Sequence, residues 1–135
     1  MIVVDTSVLS LAFRRRAKRG PESPLVRVFR RLVEEDQPVV IPGIVLQELL
    51  SGVRGEDDFE RLLDILDGFP IAAAARAHHV AAAKISNACR RAGISASTVD
   101  CLIAAMAVES KAKLLTADED FSRMARHCDL ELFNT

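Results

Sequence analysis

A chain of 135 residues, half of them apolar and 27% charged, with a formal net charge of −1, is sized for one domain around a substantial core. That apolar content at low net charge excludes a disordered chain, and the longest uninterrupted apolar run, Cys101 to Val108, falls far short of the ~18 residues a membrane span needs. The near-neutral total conceals segregation: residues 14–31 carry +7 and residues 32–67 carry −8, so a polyanionic partner is not excluded.

Met1-Ile-Val-Val4 is a β-branched run that predicts a buried strand ending at Asp5. Thr6 to Phe13 opens a helix, and Arg14 to Gly20 is a basic break. Its Arg14-Arg-Arg-Ala-Lys-Arg19 cluster reads either as a solvated loop or as a phosphate contact. Positive charge follows the apolar start rather than preceding it, the wrong order for a secretory signal, so a cytoplasmic protein is expected. Leu25, Val28, Phe29, Leu32 and Val33 recur at helical spacing after Pro24. Pro38 to Ile41 is a second strand, and a helix runs from Pro42 to Gly52.

Asp57 to Asp67 predicts another amphipathic helix, and Gly68 to Ile71 a minimal third strand. Ala72 to Ala92 is a long alanine-rich helix stopped by Gly93. Ser97 begins the next, through Leu102, Ile103 and Met106. Lys113 to Thr116 is a strand, Asp118 to Arg126 a helix, and Leu130 to Phe133 a last short strand. Strands alternating with helices imply parallel pairing in a single α/β domain over residues 1–135, with ligands beyond the carboxyl ends of the strands.

Cys89, Cys101 and Cys128 are odd in number and contain no Cys-x-x-Cys, so neither a disulfide framework nor a structural zinc site is expected. His78, His79 and the His127-Cys128 pair lack metal-spaced companions and read as ordinary helix or loop positions. Without Trp or Tyr, and with six scattered Phe, a sheet that stacks RNA bases on an aromatic platform is disfavoured.

Four acids lie near the rim where strands hand over to helices, or within an otherwise apolar helix: Asp5, Glu48, Asp100 and Asp118. Each has a structural reading. Asp5 and Asp118 can be helix N-caps, Asp100 fits a capping box with Ser97, and Glu48 can be a surface residue. Their joint reading is chemical, since converging carboxylates repel one another unless a hard divalent cation binds them.

Val4-Asp5-Thr6-Ser7-Val8-Leu9, Glu48-Leu49, Val99-Asp100-Cys-Leu-Ile-Ala-Ala-Met106 and Leu115-Thr116-Ala-Asp118-Glu-Asp120-Phe121 together resemble the PIN domain. Order, spacing and length are similar to the VapC toxins of type II toxin–antitoxin modules, over essentially the whole chain. The resemblance implies a three-layer sandwich around a five-stranded parallel sheet, and a Mg²⁺- or Mn²⁺-dependent endoribonuclease. It implies Asp5 and Asp100 as direct metal ligands, with Glu48 and Asp118 completing the pocket and Asp120 in reserve. Thr6 or Ser7, and Thr116, match positions that orient these acids. A homodimer and a cognate VapB-type antitoxin, seated in a groove at the helices 25–33 and 57–66, are implied as partners.

Two other functions compete. A small-molecule phosphohydrolase of the halo-acid dehalogenase-like kind starts similarly, but expects a second Asp where Ser7 stands. A non-catalytic scaffold binding RNA or protein is disfavoured by the intact acidic quartet. Removing the quartet leaves the chain at +3, which makes a polyanionic substrate reasonable once metal fills the site.

Overall fold

The computed structural model describes residues 1–14 and 22–134. Ile2–Val4 forms β1, and all three side chains are buried, as suits a central strand covered on both faces. It pairs in parallel with β2 (Val39–Pro42) on one side and β4 (Lys113–Leu115) on the other, with Ile2 opposite both Val39 and Lys113. Outside these lie β3 (Ile71–Ala72) and β5 (Glu131–Leu132), giving five parallel strands in the order β3-β2-β1-β4-β5. The chain leaves β1 toward β2 and later inserts β4 on the opposite side. β1 and β4 therefore flank a topological switch point, where open α/β sheets place their ligand crevice.

α1 (Thr6–Leu9) is a single α turn that passes into a wider π-type turn at Ser10–Arg14, where a plain helix is expected from the sequence. Such turns recur beside functional sites. Phe13 meets Phe29 edge-on with ring centroids 5.9 Å apart, and Phe29 stacks on Phe69 at 5.7 Å. α2 (Pro24–Glu34) starts on a proline, whose missing N–H would be unpaired there anyway, and buries Val26, Phe29 and Leu32. α3 (Gly43–Ser51) and α4 (Glu56–Leu66) bury Val45 and Leu49, and Leu62 and Leu66.

α5 (Arg76–Arg91) begins four residues later than its alanine content predicts. Ala72 is instead held in β3 opposite Pro42, and the Ala75 N–H donates to His78 Nδ1 at 2.8 Å, so sheet pairing overrides alanine's helix propensity. α6 (Thr98–Glu109) has a continuous buried run from Ile103 to Ala107, mostly small residues, and packs against α5, α3 and β4. α7 is confined to Asp120–Met124, shorter than the predicted Asp118 to Arg126, and is anchored by buried Phe121 and Met124. It is shorter because the Asp118 side chain bonds the Asp120 N–H at 2.9 Å, forming a local turn that competes with helix. Apart from the backbone of Arg14, the basic cluster Arg14 to Arg19 lies outside the described residues. No helix among the described residues is long and apolar enough to cross a membrane.

Candidate active site

The carboxyl ends of β1 and β4 carry the centre of the site. Pairing continues one residue past β1, since the Asp5 N–H donates to Leu115 O at 3.2 Å, and this fixes Asp5 beside the start of the β4–α7 loop. Asp5 is 3% exposed. It caps α1, with Oδ1 accepting from the Ser7 N–H, while Oδ2 accepts from the Thr116 hydroxyl. Thr116 Oγ1 also accepts from the Asp118 N–H at 3.0 Å, and Ser7 Oγ accepts from the Ala117 N–H at 2.9 Å. Two hydroxyls thus fasten the loop bearing Asp118 onto Asp5 and the α1 turn that it caps.

Asp100 enters from the first turn of α6, where Ser97 Oγ accepts its N–H at 3.0 Å as the helix N-cap. Ser97→Ala is expected to cost about 1 kcal/mol, the usual value of such a cap, read as a lower urea midpoint with unchanged slope. Glu48 comes from α3 and is exposed. The Thr6 hydroxyl donates to its Oε1 at 2.8 Å, tying it to the helix that Asp5 caps.

Asp100, Asp118 and Asp120 each bring a carboxylate oxygen within 4.8 Å of the others'. Asp5 and Glu48 stand outside this trio but within its field. Burial, then the charges of Asp118, Asp5 and Glu48, push the Asp100 carboxyl up to about 6 against the opposing Ser97 bond. Burial raises Asp5 too, with the charge of Asp118 adding to it, against hydrogen bonds from Thr116 and Ser7. Asp120 is the residue that sequence reasoning held in reserve, and it shares one oxygen with Arg123 Nη1 at 2.5 Å. The signal was its spacing: two carboxylates two residues apart around a tight turn can face one point.

Carboxylates gathered this way fit a hard divalent cation, which takes oxygen donors and offsets both the burial and the repulsion that raise the proton affinity of Asp5 and Asp100. The metal-free chain carries that burial and repulsion as a pH dependence. Asp100 titrates near 3.8 when unfolded and near 6 when folded, so its contribution to stability is full below about pH 4 and lost as pH rises through about 6. Two units correspond to ~3 kcal/mol, and screening of this half-exposed group reduces that to roughly 1–2 kcal/mol. In EDTA the chain is expected to melt at higher temperature near pH 5 than near pH 7.5, a gap that narrows in Asp100→Asn. An equal gap in the variant would remove Asp100 as its source.

The chain matches the PIN domain over residues 2–127 and belongs to that family. Within it, the chain is similar to the VapC ribonucleases. It is 33% identical over 133 residues to VapC ribonuclease Mb1587 of Mycobacterium bovis, spanning 97% of this chain and 96% of that protein. Ribonuclease VapC11 of Mycobacterium tuberculosis matches at the same 33% identity over the same 133 residues. Among solved structures, FitAcB from Neisseria gonorrhoeae superposes with a TM-score of 0.77 at 23% identity, covering 99% of this chain and 97% of that one. VapBC2 from Rickettsia felis, bound to a DNA fragment from their promoter, superposes at 0.79 and 21% identity, covering 100% and 99%. The five-stranded parallel sheet and its helices are therefore a PIN fold.

Proposed function

We propose that this chain is a divalent-cation-dependent endoribonuclease, a single domain over residues 1–135 acting as the toxin of a VapBC-type toxin–antitoxin module in the cytoplasm. The observation that carries the reading is the convergence of Asp100, Asp118 and Asp120 within 4.8 Å beside buried Asp5, at the switch point of the sheet. The relatives named as VapC ribonucleases supply the substrate class, RNA.

Asp5, Glu48, Asp100 and Asp118 are the proposed site residues, with Asp5 and Asp100 holding Mg²⁺ or Mn²⁺ and Glu48 and Asp118 completing the pocket. A bound divalent ion supplies charge for the phosphate in the transition state and acidifies an attacking water. Ser7 and Thr116 hold Asp5 in one orientation, so that the acid pays no rearrangement when substrate arrives. Thr116 also sets the loop from which Asp118 and Asp120 reach the cluster. Glu48 is the exposed member of the quartet, so it stands where a proton taken from water can pass to solvent. The test is cleavage of single-stranded RNA by purified chain in magnesium or manganese, abolished by EDTA and restored by either ion. Turnover of free nucleotides instead of RNA would favour a phosphohydrolase, and binding without cleavage a scaffold.

Two surfaces support the partners. A hollow of about 310 Å³ between α4 and the loop before it is lined by Phe13, Val53, Leu62 and Ile65, with Arg54 and the Arg61–Asp58 ion pair at its edge. It fits an apolar antitoxin segment with an acid facing Arg54, and Phe59 and Ile65 remain exposed on α4. Ile71 on the edge strand β3 and Val80 on α5 are also exposed, which supports a second copy of this chain as homodimer partner. Light scattering at micromolar concentration is expected to give twice the 14.8 kDa chain mass, and a monomer mass would oppose the dimer.

A further inference from the structure

A second hollow, about 460 Å³, opens beside the β4–α7 loop; Asp118 lines it and belongs to the acid cluster, and Thr116, which accepts from the Asp118 N–H, lines it too. Its apolar wall is built from Leu25 of α2 with Leu132 of β5 and Phe133 just after it, all partly exposed. The Phe133 N–H donates to Leu114 O at 2.8 Å, which holds that segment against β4. The polar rim consists of Ser122, Asn134 and Glu119. Glu119 stands at the N-terminus of α7, yet its side chain does not cap the helix. Apart from Asp118, which belongs to both, the residues of this hollow stand outside the carboxylate cluster, so metal binding does not account for its apolar wall.

The chemistry of the walls selects the occupant. Carboxylates on the rim, with no lysine or arginine lining it among the described residues, oppose a phosphate. An apolar wall with one aromatic ring and hydrogen-bonding groups at its edge matches a flat, neutral heterocycle that carries its own polar edge. A phosphodiester at Asp118 has a nucleoside attached on each side, and the shared lining places one of them at the mouth of this hollow. Resting on the ribonuclease reading, we propose that the hollow takes the unpaired base of a nucleotide flanking the scissile phosphate, against Phe133 and Leu25, with Glu119 reading its Watson–Crick edge. A carboxylate offers two acceptor oxygens side by side, and guanine alone among the four bases presents two adjacent N–H donors on that edge. The site therefore favours guanine and disfavours uracil, whose edge presents acceptors on both sides of its single N–H.

The test uses the whole chain with a pool of single-stranded RNA randomised around the cut, followed by sequencing of the ends. Wild type is expected to enrich guanine ~10-fold or more over uracil at one flanking position. Glu119→Gln removes the paired charged acceptors and is expected to lose most of that preference while still cutting RNA. Inosine in place of guanosine lacks the exocyclic amino group, and it is expected to reproduce the loss with wild-type enzyme. Phe133→Leu keeps apolar volume but removes the ring, and is expected to raise KM for all sequences with little change in kcat. Cleavage with no base preference, or a preference untouched by Glu119→Gln, overturns the proposal and leaves the ribonuclease reading standing. An RNA pool left uncut by wild type overturns both. If Phe133→Leu and Glu119→Gln keep the cutting pattern and instead weaken binding of an antitoxin peptide, the hollow is a protein-docking surface and the proposal fails.

Discussion

Replacing Asp100 with asparagine is expected to lower RNA cleavage on the order of 10³-fold while raising the melting temperature of the metal-free chain near pH 7.5. The two effects have one cause. Asp100 sits half-buried among the charges of Asp118, Asp5 and Glu48, and its carboxyl is pushed up to about 6 by burial and by that repulsion. Asparagine keeps the shape and removes the charge, so the folded chain loses a strain it otherwise carries at neutral pH. The same charge is what a divalent ion uses, and losing several kcal/mol of transition-state stabilisation corresponds to about three decades in rate. Asp5→Asn is expected to match the loss of cleavage; its Oδ1 keeps the cap of α1, but an NH₂ replaces the oxygen that accepts from the Thr116 hydroxyl. Cleavage by both variants at the wild-type rate in magnesium would exclude these acids from the chemistry. A lower melting temperature for Asp100→Asn would show that Asp100 supports the fold rather than burdening it, the reverse of the trade between stability and activity argued here.

The elements that carry the site were legible because each had a local signal. The run Ile2 to Val4 is buried throughout and ends at Asp5, and Ser97 caps the helix that brings in Asp100. The strand order was not legible, since no local pattern states that β4 inserts beside β1, and that insertion is what brings Asp118 to Asp5 across 113 positions of sequence. Ala72 to Ala75 misled for a related reason: propensity favours helix there, but Ala72 lies in the β3–β2 pairing that the Ile41 N–H opens by donating to Pro70 O, which propensity cannot see. Asp120 was half legible, as its spacing from Asp118 was visible but the turn that aims both acids at Asp100 depends on a side chain bonding its own backbone. The PIN resemblance supplied the quartet and pointed to Thr6 or Ser7, and Thr116, as residues that orient it; that one hydroxyl, Thr116, bridges Asp5 and the Asp118 N–H emerged only in three dimensions.

Thr116→Val tests that bridge directly. The threonine hydroxyl donates to Asp5 Oδ2 and accepts from the Asp118 N–H, so one side chain sets the orientation of an acid on β1 and the start of the loop after β4. Valine has the same shape and neither bond. Asp5, 3% exposed, would keep its bond from the Ser7 N–H but lose the one to its second oxygen, and its affinity for a proton would rise. Outer partners of metal-binding acids typically affect metal affinity or activity by 10–100-fold, and that loss is expected here. A purely structural role would lower stability and activity without changing the metal requirement. A positioning role moves the magnesium concentration for half-maximal cleavage upward and lets excess magnesium recover part of the rate. Thr116→Ser restores the hydroxyl and is expected to return the magnesium midpoint close to wild type. An unchanged midpoint in Thr116→Val would mean that Ser7 alone, whose Oγ lies 3.4 Å from Thr116 Oγ1 and accepts from the Ala117 N–H, suffices to hold the loop in place.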